Sequence, residues 1–133
     1  MYNFTQGQWY QRDNEIVYIY DIDNLDEYVW LMPAIYPQPY DIGKSQPNIS
    51  QYEYFKDMHK YERIMPPCFE IDDVVVYIGQ DVTFEGITVL KNNSLVQIVN
   101  KHDESYGDHY GVIMPEIALS VRVTPYEIKK IDY

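Results

Sequence analysis

Ile16-Val17-Tyr18-Ile19-Tyr20-Asp21-Ile22, then Asn24-Leu25-Asp26, then Tyr28-Val29-Trp30-Leu31-Met32 up to Pro33, is the stretch whose reading decides the fold. β-branched and aromatic residues suit a pleated, half-buried surface, and the Asn/Asp-rich break between the runs suits a turn. A β-hairpin is expected, stopped at Pro33 because proline has no N–H to give a ladder. If Ile22 points inward, Asp21 and Asp23 share the opposite, solvent face.

Downstream of this hairpin, Pro33 to Pro47 contains four prolines with Gly43, Ser45 and Gln46, so a loop or crossover is expected. One helix is expected next. Ser50 and Glu53 have the spacing of a capping box, Tyr54, Met58, Tyr61 and Met65 fall on one helical face, and Pro66-Pro67 ends the segment. β-type segments then return at Val74 to Ile78, Val82 to Leu90 with a break at Gly86, and Leu95 to Val99 after Asn92-Asn93. A polar insertion from Lys101 to Asp108 precedes Tyr110 to Met114 and Ala118 to Val123. Thr124-Pro125-Tyr126-Glu127 reads as a capped single turn before Ile128 to Ile131.

Two parts of the chain echo one another. Glu15-Ile16-Val17-Tyr18-Ile19 through Leu31-Met32-Pro33 resembles Ser94-Leu95-Val96-Gln97-Ile98 through Ile113-Met114-Pro115, and Tyr61-Glu62-Arg63-Ile64 resembles Tyr126-Glu127-Ile128-Lys129. The expected class is therefore mainly β, of α+β type. The chain, residues 1–133, is read as one compact domain with two β subdomains, a hairpin plus helix at 1–67 and a curled barrel at 68–133.

Residues 74–131, with the turn at Asn92-Asn93, Tyr110-Gly111-Val112-Ile113 and the late Pro125 turn, resemble the small SH3-like barrels of phage and mobile-element proteins. The resemblance implies a fold class and carries no functional site across, because fold does not fix function.

Composition narrows the function. The 133 residues include 21 acidic and 10 basic ones, a formal net charge of −11, which disfavours direct binding of nucleic acid or an anionic membrane. The attractive partner is a basic protein surface. The acids form two blocks, Asp13 to Glu27 and Glu70 to Glu85, and the 15 tyrosines often lie beside them. From these blocks the expected contact residues are Asp21, Asp23, Asp26, Glu27 and Tyr28, then Glu70, Asp72, Asp73, Asp81 and Glu85. The single cysteine, Cys68, rules out an internal disulfide and is expected to be a buried structural thiol. Met1 to Tyr10 does not read as a leader, and no apolar run approaches membrane-spanning length, so a cytoplasmic setting is expected.

Catalytic and metal motifs fall short one by one. Asp21-Ile22-Asp23-Asn24-Leu25-Asp26 lacks the glycine and the final glutamate of a calcium loop. His102, Asp103, Glu104, Asp108 and His109 contain metal-ligating atoms in a segment expected to be a solvated hairpin loop. No nucleophile elbow, phosphate loop or dinucleotide fingerprint is present, and no cofactor is expected. The leading expectation is a non-catalytic acidic inhibitor of the phage anti-defence, anti-CRISPR-like kind. It would occupy the basic groove of a nucleic-acid-binding protein such as a Cas nuclease by electrostatic mimicry. A structural or adaptor subunit that self-associates is the first alternative, and a small metal-dependent hydrolase built on His102 and His109 the second.

Overall fold

The computed structural model describes residues 4–45, 49–104 and 107–131. Gln46 and Pro47 of the expected loop and Ser105 of the polar insertion lie outside them, as do the side chains of Asp103 and Glu104. Among the described residues the fold is mainly β, with three sheets and one short 3-10 helix.

The first unit uses the expected hairpin as its centre. Strands β1 (Trp9–Arg12), β2 (Glu15–Asp23) and β3 (Tyr28–Pro33) are followed by β4 (Tyr40–Asp41), β5 (Gln51–Tyr54), the 3-10 helix Phe55–Lys60 and β6 (Glu62–Ile64). All but β4 join one five-stranded antiparallel sheet in the order β5-β3-β2-β1-β6. Alternation turns Val17, Ile19, Val29 and Leu31 into a core with Tyr10, Phe55 and Met58.

The second unit comprises β7 (Val74–Tyr77), β8 (Val82–Phe84), β9 (Ile87–Leu90), β10 (Leu95–Glu104), β11 (Gly107–Ile113), β12 (Val121–Val123) and β13 (Ile128–Lys130). Its main sheet runs β12-β11-β10-β7-β13. Between β7 and β10 the chain makes the β8–β9 hairpin, and β4 pairs parallel with β8. The proline-rich connection of the first unit thus straps onto the second. Val75, Val96, Ile98, Val112 and Val123 fill the core of this unit.

The two main sheets are the same construction twice. Each places the hairpin's first strand beside the preceding strand, then the unit's last strand, while the strand after the hairpin covers the other side. Residue by residue the ladders coincide. Tyr10 pairs with Val17 and Arg63 as Val75 pairs with Val96 and Lys130. Ile19 opposite Leu31 matches Ile98 opposite Val112, and the bulge that follows falls between Ile19 and Asp21 in one unit and between Ile98 and Asn100 in the other. Leu31 opposite Gln51 matches Val112 opposite Val121. The echo in the sequence is therefore structural, but its register differs. Ile113 corresponds to Met32 rather than to Leu31, and Ile128 to Tyr61, because the bulge and the turns shift the match.

Four expectations are corrected. The helix expected after Ser50 is an edge strand and a 3-10 helix: Tyr52 and Tyr54 pair with Trp30 and Tyr28, and the ladder to β3 outweighs the local capping pattern. Of the expected helical stripe only Met58 is buried, and Met65 is 81% exposed. Within the polar insertion, residues 101–104 and 107–108 are ladder, with His102 opposite His109 and Glu104 opposite Gly107. The curled barrel of 68–133 is an open sheet among the described residues, ending at β12 and β13. Cys68 is exposed, since it lies in the extended segment between the units and not in a strand.

The units meet along a third cluster. Trp9, Tyr18 and Ala34 are buried with Ile16, Met32 and Tyr126 around them. Trp9 packs against Tyr126 at 5.2 Å between ring centres, and Tyr18 meets His109 edge-on at 5.5 Å. Thr124 Oγ1 donates to the Ala34 carbonyl.

Candidate functional site

The outer face of the first sheet carries the most distinctive surface. Because Val29 and Leu31 point inward, Tyr28 and Trp30 point out, and the β5 register sets Tyr54 and Tyr52 directly beside them. The rings touch edge to face: Tyr28 to Trp30 at 5.5 Å and 82°, Trp30 to Tyr52 at 5.9 Å and 74°, and Tyr52 to Tyr54 at 5.6 Å and 80°. Such geometry sets the positive edge of one ring against the negative face of the next. Tyr52 is 55% exposed and Tyr54 47%, so these are packed rings that still face water.

Carboxylates join this face from β2. Asp21 lies opposite Trp30 and Asp23 opposite Tyr28 in the ladder. Desolvation, then the hydrogen bond with the Asp23 carboxylate, raise the Tyr28 hydroxyl above the ordinary tyrosine value. Lys56 reaches over the Tyr54 ring at 5.8 Å, so the platform already accepts one cation.

The remaining expected contact residues have work in the fold. Asp23 Oδ1 accepts from the backbone N–H groups of Leu25 and Asp26 at 3.0 and 2.9 Å, an Asx-type turn. Glu27 sits at φ 56°, and its carbonyl accepts from Phe55 N–H. Glu70 pairs with Lys101 at 3.0 Å, and its N–H donates to Asp73 Oδ2. Asp72, at φ 78°, donates its N–H to the Ile98 carbonyl. Asp81 accepts from Asn92 N–H at 2.8 Å, and Glu85 at φ 51° occupies the β8–β9 turn with Gly86. The structure thus gathers Asp21, Asp23 and Tyr28 on one face, with Asp26 and Glu27 in the adjoining turn. It divides the second block between the turn into β7 and the β8–β9 region. Trp30, Tyr52 and Tyr54 were not among the expected contacts; their alternation at Tyr28-x-Trp30 and Tyr52-x-Tyr54 was the available signal.

Two further titratable groups lie in the seam between the units. Glu127 is buried and its carboxyl is raised above the usual range, first by burial, against the lowering effect of its backbone donors. Oε1 accepts from Thr124 N–H at 2.9 Å and Oε2 from Tyr36 N–H at 3.2 Å, so both oxygens are engaged in a clasp between the units. Burial, then the nearby Glu127 charge, pushes Tyr18 and Tyr40 each up to about 12. His109 is buried against Trp9 and Tyr18, while its cross-strand neighbour His102 is half-buried. Among the described residues no group of three or more His, Cys, Asp or Glu side chains is arranged to hold a metal ion. Nor is any helix among them long and apolar enough to cross a membrane.

The ring platform with flanking carboxylates defines a class of surface, one suited to holding cationic, planar groups. Comparison with known proteins finds no matching family model, curated protein or solved structure.

Proposed function

We propose that this chain is a non-catalytic binding protein whose platform of Tyr28, Trp30, Tyr52 and Tyr54, with Asp21 and Asp23, engages a basic protein surface. The observation that supports it is the pairing of mutually packed, half-buried to exposed rings with carboxylates on the adjoining strand. An arginine can stack its guanidinium on such rings and direct its donors to a carboxylate in the same contact. The partner that best fits is a nucleic-acid-binding protein, its basic groove occupied by this surface in place of phosphates and bases. A phage-encoded inhibitor of a Cas nuclease, acting in the host cytoplasm, belongs to this class. The strand order β12-β11-β10-β7-β13, with the Thr124 to Glu127 turn before the last strand, supports reading residues 74–131 as a small SH3-like fold.

The test is capture of partners on the immobilised chain at low and high salt, with DNA as competitor. Retention of a nucleic-acid-binding protein that DNA or salt displaces is the expected result, since screening weakens charge pairing. Tyr52→Ala is expected to weaken capture about 5- to 30-fold, the equivalent of about 1–2 kcal/mol for a ring that stacks on a cation. Asp21→Asn, Asp23→Asn, Asp26→Asn and Glu27→Gln together are expected to weaken it further and leave the fold intact. The amide introduced at position 23 keeps an oxygen that accepts from the Leu25 and Asp26 backbone N–H groups. Undiminished capture by both variants would refute the platform reading.

A second reading, an assembly subunit, is favoured by a separate observation: one face is covered in the first unit, and among the described residues the equivalent face of the second stays partly exposed.

A further inference from the structure

The ladder equivalences identify what the seam is made of. On the first unit the covered face is Trp9, Ile16, Tyr18 and Met32, and it is covered by His109, Thr124 and Tyr126 of the second unit. Arg122 stays exposed at the rim of the seam, where its charge acts on the Tyr18 hydroxyl.

Carried across by the same registers, Trp9 corresponds to Val74, Ile16 to Leu95, Tyr18 to Gln97 and Met32 to Ile113. In the second unit, among the described residues, this face stays partly open, with Gln97 and Ile113 half-buried. Val74 and Leu95 are each 50% exposed, and together with Ile113, Met114, Pro115 and Ile117 they line an apolar groove of about 550 Å³. On the first unit the matching hollow, walled by Ile16, Pro33 and Ala34, is reduced to about 290 Å³, and Tyr126 of the second unit forms part of its wall.

The covering surface has its own counterpart. His109 corresponds to Tyr28, Arg122 to Tyr52, and Thr124 to Tyr54. The surface whose His109 and Thr124 are buried in the seam, with Arg122 exposed at its rim, corresponds in the first unit to the ring platform, where Tyr52 and Tyr54 are exposed and Tyr28 half-buried. Among the described residues, one molecule therefore leaves open the register counterparts of both halves of the contact it makes internally.

We propose that the groove formed by Val74, Leu95, Ile113 and Met114 is the docking site for the ring platform of a second copy of this chain, in a head-to-tail contact that repeats the internal seam. Such a contact is heterologous: each copy gives its platform to one neighbour and its groove to another. Apolar and aromatic burial drives it, and the net charge of −11 on each copy opposes it. The platform cannot hold a copy and a basic partner together, so self-docking withdraws it from the basic partner. The proposal stands on the internal duplication and does not require that partner.

Sedimentation of the full chain over a concentration series, at low and at high salt, tests it. Association is expected to grow with protein concentration and to strengthen with salt, as screening relieves repulsion between like-charged copies. This is the opposite salt dependence to basic-partner binding, so the two readings fail separately. Leu95→Glu in the groove and Tyr52→Glu on the platform are each expected to weaken self-association at least about tenfold, since each sets a carboxylate where the contact buries apolar surface. Val74→Lys serves as a second groove variant at an exposed site. An equimolar mixture of the Leu95→Glu and Tyr52→Glu chains is expected to form a heterodimer and stop there, since only one intact groove and one intact platform can meet. A wild-type chain that stays monomeric at every concentration and salt overturns the proposal. So does self-association that survives these variants, or a mixture that recovers no heterodimer.

Discussion

Glu127 shows how a residue read for its local pattern acquires a second role in three dimensions. Thr124-Pro125-Tyr126-Glu127 was legible as a capped turn, and Glu127 Oε1 does return to Thr124 N–H. That Oε2 would clasp Tyr36 N–H, 91 positions away, was not, because nothing local specifies how the proline-rich segment lies over the second unit. Burial raises the carboxyl, so the folded chain holds this proton more tightly than the unfolded chain does. The stabilising contribution is accordingly complete below the ordinary glutamate value of about 4.3 and is lost as pH rises through the raised folded value. Glu127→Gln removes the ionisation, at a fixed cost from turning one amide N–H₂ toward a backbone donor. Urea midpoints measured for both proteins from about pH 4 to pH 8 are expected to show the wild type losing stability relative to the variant as pH rises. Ionisations elsewhere are common to both and cancel in the difference. A difference that does not change with pH would show that Glu127 keeps an ordinary affinity for its proton.

Elements were legible where a single pattern governed them. The β2–β3 hairpin follows from Ile16 to Ile22 and Tyr28 to Met32, whose alternation agrees with the turn chemistry between them. Where two patterns overlapped, the choice needed a neighbour. Tyr52-Glu53-Tyr54 satisfies a strand alternation and also begins a helical stripe; only the open side of β3 decides, and the two exposed tyrosines of the candidate site were concealed by that ambiguity. Acidity serves local geometry as well. Much of the placement of Glu70, Asp72, Asp73, Asp81 and Glu85 is turn construction. The β8–β9 hairpin illustrates this, because Glu85 and Gly86 both have positive φ, at 51° and 84°, the pair that a type I′ turn requires. Glutamate is a poor residue there, and asparagine tolerates the left-handed region far better. Glu85→Asn is expected to raise stability by about 0.5–1 kcal/mol, the usual scale of a corrected turn position. A urea midpoint unchanged or lowered in this variant would mean that the glutamate side chain has a stabilising partner.

At the scale of the whole molecule, the question is whether two copies of one construction fold as one body. The echo between Glu15 to Pro33 and Ser94 to Pro115 made a duplication legible, while the seam was not, because its members come from distant segments with no common motif. Trp9 is at its centre, 1% exposed, with Tyr18 at 4.8 Å, Tyr126 at 5.2 Å and His109 at 6.4 Å between ring centres. Trp9 belongs to β1 of the first unit and packs there on Tyr18, yet Tyr126 and His109 belong to the second, so removing its ring weakens both the outer face of the first sheet and the contact between units. Trp9→Ala is expected to cost about 3–5 kcal/mol, the range for deleting a buried aromatic side chain. If the seam couples the units, that loss reaches strands Trp9 does not touch. Amide hydrogen exchange reports it strand by strand, since slow exchange in a core measures the opening free energy of its cooperative unit. Val17 and Ile19 in β2 and Val96 and Val112 in the second unit are buried reporters on either side. Equal loss of protection at all four is expected, because Thr124 to Ala34, Glu127 to Tyr36 and the β4–β8 pairing tie the units beyond Trp9 itself. Protection that falls at Val17 and Ile19 and persists at Val96 and Val112 would instead show two units that unfold independently and only rest on one another.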